Sequence, residues 1–184
     1  REVVNVVTRC DESDVDKAVA AARAAQPDWA AMPLIDRVKI LRRINQAFLE
    51  RAEPIARMVS LEIGKTITDA REEVYEYAAP SYEKAGAEVL RHRGLSFPST
   101  QEQTNNKRLV MTHRPLGVVG AITPYNFPTD ISSIALAHII AAGNTAKFPK
   151  ADGQGNGFAN PFCSHPHPDV YVSDTSPHPL NKFG

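Results

Sequence analysis

Cysteine is scarce in this chain, and neither sign of charge is in excess. Two cysteines, Cys10 and Cys163, are too few for a disulfide framework, which favours a reducing, cytoplasmic setting. The 21 basic residues offset the 21 acidic ones. No strong field of one sign therefore calls for a nucleic acid or an anionic membrane as partner. No apolar run reaches the ~20 residues that cross a bilayer, and no signal peptide is visible. At 184 residues the chain can bury one sizeable core, or parts of two. It opens on Arg1 rather than Met, so it is read as a piece of a longer protein.

What the chain does have, first, is a series of helical periods. Val3 to Thr8 reads as a short strand. Ser13 is expected to cap the first helix, with Asp16 three residues on. Val15, Val19 and Ala22 mark one face of that Ala-rich helix, which should end before Pro27. Trp29 then falls in a connector, as a packing anchor rather than a ligand platform. Leu34, Val38, Leu41, Ile44 and Phe48 recur at helical steps and predict an amphipathic helix. Arg37, Arg42, Arg43 and Arg51 lie off that stripe, with Asp36, Glu50 and Glu53 interleaved, which reads as a solvated face. Pro54 suits the first turn of the next helix, with Ile55, Val59 and Ile63 inward and Gly64 as its stop. A long helix is expected from about Asp69 to Arg93, interrupted or kinked near Pro80 and closed by Gly94. From Leu95 the pattern changes to strand, and Arg108 to Arg114 reads as a charged extended segment. His113, in that segment, reads as a surface or interface histidine, and His138 as a satisfied buried one.

The stretch from Arg114 to Lys150 carries the organisation of the rest. Leu116 to Ile122 is short, uncharged and rich in valine, and reads as a strand buried on both faces. Pro124 and Pro128 bracket a sharp turn, and the strand should stop by Thr123 because proline supplies no ladder N–H. Thr129 or Asp130 should cap a helix of about a dozen residues that closes at Gly143-Asn144. Thr145 to Phe148 then returns as the next strand. Such strand–helix–strand units build parallel sheets, with ligands beyond the carboxyl ends of the strands. Thr123 to Asn126 lies at that end, next to helical N–H groups expected to be unpaired. Asn126 can aim an amide donor at a ligand, or satisfy its own turn as Asx residues do. On pattern alone the second role is favoured.

The run LGVVGAITPYNFP followed by AAGNT resembles the signature region of the NAD(P)-dependent aldehyde dehydrogenase superfamily. The likeness extends upstream through SLEIGKTITDAREEV and DVDKAVAAARAAQPDWA, and covers about residues 1 to 148. It implies an α/β fold in which N-terminal helices lead into the start of a Rossmann-like parallel sheet, as an incomplete domain. It also implies oligomerisation strands in residues 95 to 114, hence a homo-oligomer when full length. The implied cofactor is NAD or NADP and the implied substrate a small aldehyde, with no nucleic-acid or membrane partner. By the same resemblance Asn126 is the catalytic oxyanion donor. Ile122, Thr123, Pro124 and Tyr125 line the nicotinamide end of the cofactor cleft. Members of the family continue into a Lys-Pro-Ser/Ala-Glu strand end that holds the adenosine ribose. Here Pro149 stands where that lysine belongs, leaving Lys147 and Lys150 as the candidates for its role.

The family's chemistry needs a cysteine nucleophile, an oxyanion donor, a hydride acceptor and a glutamate that activates water. The expected product is a carboxylic acid or acyl group, formed through a thiohemiacetal and a thioester. Neither Cys10 nor Cys163 stands in the family's Gly-Gln-x-Cys context, and no segment resembles the loop of the glutamate. Both groups are expected outside this chain, which is predicted inactive by itself. The alternative is a catalytically inactive module that acts only by pairing helices and strands with partner subunits. Residues 149 to 184 depart from the family. From residue 151 on, this tail holds five of the fourteen prolines and one Leu or Ile, Leu180. That composition predicts disorder, and a shifted reading frame or a truncation would produce it. Gly153, Gly155 and Gly157 resemble a phosphate loop only superficially. Cys163, His165, His167 and His178 match no common zinc spacing, so no metal is expected.

Overall fold

The structure is a computed structural model that describes residues 11–99 and 107–147. The strand expected at Val3 to Thr8, both cysteines, Lys150 and the tail from residue 148 lie outside the described residues.

Helix α1 spans Glu12–Ala31. Its cap is Asp11, two residues before the expected Ser13. The Asp11 carboxylate accepts from the Asp14 N–H at 3.2 Å, and Asp14 accepts in return from the Asp11 N–H at 3.3 Å. Ser13 instead donates its hydroxyl to Asp11 at 2.7 Å. A carboxylate at the cap meets the positive helix end with full charge, which a serine hydroxyl cannot. The helix also runs through Pro27 rather than stopping before it. Tertiary bonds hold this last stretch. Trp29, within the helix rather than in a connector, donates its indole N–H to the Ile140 carbonyl at 3.0 Å. The packing role expected of Trp29 holds.

Helix α2, Leu34–Glu50, buries Val38, Leu41 and Phe48 as the stripe predicts. Arg37 does not belong to a solvated face: it is buried. Its guanidinium donates to the carbonyls of Met32 at 2.8 Å and Ala30 at 3.4 Å, placing a cation on the negative end of α1. Burial lowers its pKa from the usual value. Helix α3, Ala52–Ile63, ends as expected at Gly64, whose φ of 74° places it in the left-handed region.

The long helix expected near Pro80 is three pieces. Helix α4, Ile67–Glu72, is capped by Thr66, which accepts from the Asp69 N–H at 3.1 Å. A π-helical stretch follows over Glu73–Ala78, then α5 over Ala79–Arg91 with Pro80 in its first turn. The Ala79 N–H reaches back five residues to the Val74 carbonyl. The wide turn upstream of Pro80 takes up the missing N–H and the ring, so the break precedes the proline. It also leaves both Glu73 and Val74 buried.

Strand β1, Leu95–Phe97, pairs antiparallel with β2, Leu109–Met111, and both are exposed along their length. Strand β3, Val118–Gly120, pairs parallel with β4, Thr145–Lys147, through helix α6, Asp130–Ala141. This is the expected strand–helix–strand unit. The strand is shorter than the Leu116–Ile122 run and is not buried on both faces: Leu116 is 81% exposed and Ile122 88%. Among the described residues β4 is the only neighbour of β3, so the outer positions have nothing to pack against. Asn144 closes the unit, accepting from the Gly117 N–H at 3.0 Å and donating to the Ile139 carbonyl at 3.3 Å. The Thr145 hydroxyl donates to Ala22 of α1 at 3.0 Å.

The core lies where α2, α5 and α6 meet, around Leu41, Phe48, Tyr82, Ala137 and Ile140. His138 is exposed on the outer side of α6, contrary to expectation, with its ring Nδ1 2.8 Å from the Ile134 carbonyl. α6 is apolar almost all round, so its pattern gives no phase from which to read an inner face. His113 is exposed, as expected, and meets the ring of His92 edge-on at 5.4 Å.

Candidate active site

Strand β3 delivers the chain to an open edge. After Gly120 the backbone makes one more sheet bond, from the Ala121 N–H to the carbonyl of Lys147, the last described residue of β4, at 3.0 Å. Ile122, Pro124, Tyr125 and Asn126 are exposed, and Thr123 is half-buried. Gly120 is in register with Lys147, so five sequence-predicted residues and Lys147 share the carboxyl edge of one parallel pair. Lys147 is half-buried.

Asn126 sits at the tip. Among the described residues its side chain makes no hydrogen bond to its own turn, so the Asx-turn role favoured on pattern alone is not the one adopted. The amide is presented to solvent by a turn anchored just behind it. Pro128 and Thr129 are buried. The Thr129 N–H and hydroxyl donate to Glu73 Oε1 at 2.8 and 2.6 Å, and the Asp130 N–H donates to the same oxygen at 3.1 Å. Lys65 Nζ donates to Glu73 Oε2 at 2.5 Å and lies 3.7 Å from the centre of the Phe127 ring.

This arrangement corrects one expectation. The first N–H groups of α6 are not free for a ligand: Glu73 takes that of Asp130, and the Phe127 carbonyl takes that of Ile131 at 3.2 Å. An anion brought here would meet a carboxylate already in place. Burial, and then the charge of Glu73, push the Asp130 carboxyl above its ordinary range, with Lys65 and Lys84 opposing. The N-terminus of α6 is therefore closed to an anion, while the exposed Ile122–Tyr125 edge presents an apolar and aromatic wall.

Sequence reading assigned no role to Lys65 or Glu73. The available signal was a glutamate beside Val74 in a segment whose other inward positions, Ala70 and Ala78, are small and apolar.

A strand, a crossover helix and a parallel strand, with an exposed turn at the first strand's carboxyl end, define the start of a Rossmann-like parallel α/β sheet. The sequence profile of the aldehyde dehydrogenase family matches residues 1–151, and the chain belongs to that family. It is 35% identical over 147 residues to N-succinylglutamate 5-semialdehyde dehydrogenase of Burkholderia cenocepacia, covering 76% of this chain and 28% of that protein. It is 33% identical over 144 residues to glutarate-semialdehyde dehydrogenase of Pseudomonas aeruginosa, covering 78% and 29%. The structure resembles that of an NADP complex of glyceraldehyde-3-phosphate dehydrogenase from Methanocaldococcus jannaschii. The TM-score is 0.73 at 29% identity, over 80% of this chain and 31% of that one. The chain thus spans under a third of the length of these relatives.

Proposed function

We propose that this chain supplies the oxyanion turn and part of the cofactor wall of an NAD(P)+-dependent aldehyde dehydrogenase. The observation that carries this reading is the Asn126 amide, exposed and unbonded at the carboxyl end of β3, on a turn anchored to the helical body. Asn126 donates to the aldehyde oxygen as negative charge develops on it. A donor fixed in place before the reaction stabilises that charge without reorganising. Ile122, Thr123, Pro124 and Tyr125 pack along the nicotinamide end of the cofactor and exclude water there. Lys147 brings positive charge to the same edge for the ribose end; Lys150, the other candidate for that role, lies outside the described residues. When bound, NAD+ or NADP+ accepts the hydride. The nucleophilic cysteine and the water-activating glutamate come from outside this chain. In this reading residues 1–148 belong to the cofactor-binding domain, and residues 149–184 are a tail outside the family's pattern.

Strands β1 and β2, within residues 95–114, serve subunit pairing in this reading. Leu95, Phe97, Leu109, Val110 and Met111 are all exposed on them, more apolar surface than a two-stranded ribbon keeps in water by itself. The same observation favours the second reading, a module without activity that acts only by pairing.

Two measurements decide between them. The 184-residue chain alone is expected to reduce neither NAD+ nor NADP+ with any of a range of aldehydes; turnover by the purified chain would overturn the assignment of cysteine and glutamate to another segment. Fused ahead of the catalytic portion of a matched relative, residues 1–147 should restore turnover. A soluble, assembled fusion without activity would favour the pairing module.

A further inference from the structure

Glu73 is 1% exposed. A carboxylate at that depth persists only where its charge and lone pairs are satisfied, and an apolar side chain of similar volume packs at less cost. The groups that satisfy it are unusual in their placement. Three donors on one oxygen come from Thr129 and Asp130, and the other oxygen meets Lys65. The ammonium of Lys65 lies over the ring of Phe127. These contacts fall on the three residues flanking Pro128, directly after Asn126. They originate in segments distant in sequence, the connection between α3 and α4 and the π-helical stretch. Such stretches are frequent at functional sites.

We propose that Lys65 and Glu73 are positioning residues, a clamp that holds the Tyr125-Asn126-Phe127 turn where the Asn126 amide meets the reacting oxygen. The inference rests on the role given to Asn126 above. The described pairing of β3 stops at Ala121, short of the turn, and Ile122 is 88% exposed. Glu73 fixes the first residues of α6 against translation along its axis. Lys65 fixes Phe127 against rotation of the turn. The π-helical stretch is what turns Glu73 inward beside Val74, so the break near Pro80 and the site at Asn126 are one construction.

The first test needs no turnover. In the 184-residue chain, Glu73→Ala removes the acceptor for three donors, and Glu73→Gln keeps an acceptor but removes the charge that pairs Lys65. The clamp expects amide exchange at Thr129 and Asp130 to rise about tenfold or more in Glu73→Ala, with Leu41 and Ile44 of α2 nearly unchanged. It expects side-chain nitrogen relaxation to show a more mobile Asn126 amide in both variants and in Lys65→Met, with Lys65→Arg close to the parent. An Asn126 amide of unchanged mobility overturns the clamp. So does an equal loss of protection across α2 and α6, the mark of a general core residue.

The second test separates the clamp from the catalytic reading. In the fusion with a relative's catalytic portion, Glu73→Gln and Asn126→Ala are measured singly and together. The clamp expects Glu73→Gln to lower kcat by about tenfold or more while KM for the dinucleotide holds. In the Asn126→Ala background it expects no further loss. Losses that multiply overturn the clamp and leave Asn126 in its role. A normal kcat for Asn126→Ala overturns the catalytic reading instead, and the exchange result then judges the clamp.

Discussion

Asn126 and Asp differ by one atom's chemistry, and that difference separates two roles. In the completed enzyme, Asn126→Ala should lower kcat by ~10²–10³, or about 2.7–4 kcal/mol, as loss of one oxyanion donor does. Asn126→Asp should be at least as damaging, because it sets a carboxylate beside the forming oxyanion. A turn-forming residue would behave otherwise, since Asp is a good Asx-turn residue. Steady-state kinetics with thermal melts decide it: near-normal kcat for the Asp variant would reduce Asn126 to shaping the turn. A second residue-scale prediction concerns Glu53. Hydrogen bonds from Arg71, at 2.7 and 2.9 Å, and then from Arg57 at 3.0 Å pull its carboxyl from 4.5 down to about 2. Because the folded value is the lower one, the pair's contribution is present above 4.5 and disappears as pH falls toward 2. An NMR titration should show Glu53 rising toward its ordinary value in Arg71→Gln, and the shift should shrink in high salt because the pair is exposed.

Two glycines close elements under different constraints. Gly64 takes φ 74° with nothing within 4 Å of an added Cβ, so only backbone conformation resists substitution there. Gly64→Ala should lower stability by about 1–2 kcal/mol, the cost of the left-handed region for an L-residue. Gly143 takes φ 87°, and an added Cβ would also come within 2.9 Å of Pro115 and 3.4 Å of Arg37. Gly143→Ala should therefore lose more than Gly64→Ala. Urea melts of both variants rank them, and equal midpoints would mean that the contact at Pro115 relaxes freely. The order matters for function, since Gly143 and Asn144 set where β4 meets β3.

The described residues form a helical body carrying a short parallel pair and an antiparallel ribbon. Leu41 is fully buried where α2 meets α5 and α6, so Leu41→Ala should cost about 2–5 kcal/mol. It should do so without moving the Glu73 contacts, which lie on other elements. Denaturant melts with exchange at Thr129 check both halves: loss of protection at Thr129 beyond the global loss would mean that core and turn are not separable. Among the described residues no helix is long and apolar enough to cross a membrane. Large apolar side chains are exposed around β3, at Leu116 and Ile122, and on β1–β2, at Leu109 and Val110.

The sequence by itself determined the elements whose information is local. The stripe from Leu34 to Phe48 needs only its own period to choose a buried face. Gly64 and Gly143-Asn144 stop their helices by backbone preference, and β3 stops short of Pro124, the limit that its missing N–H sets. The strand–helix–strand unit and the position of Asn126 at the strand's end follow from those marks. Tertiary structure decided whatever depends on a partner distant in sequence. Pro27 stays helical while Trp29 bonds Ile140 and Arg37 covers the carbonyls beyond it. Arg37 itself is buried because the end of α1 supplies acceptors that its own helix does not. His138 faces outward on a helix with no polar phase to announce it. Above all, Glu73 takes the α6 donors that sequence alone left open to a ligand. That contact joins residues 56 and 57 apart, and a hydrogen bond between distant segments leaves no period in the sequence, because only the packed fold brings its two ends together.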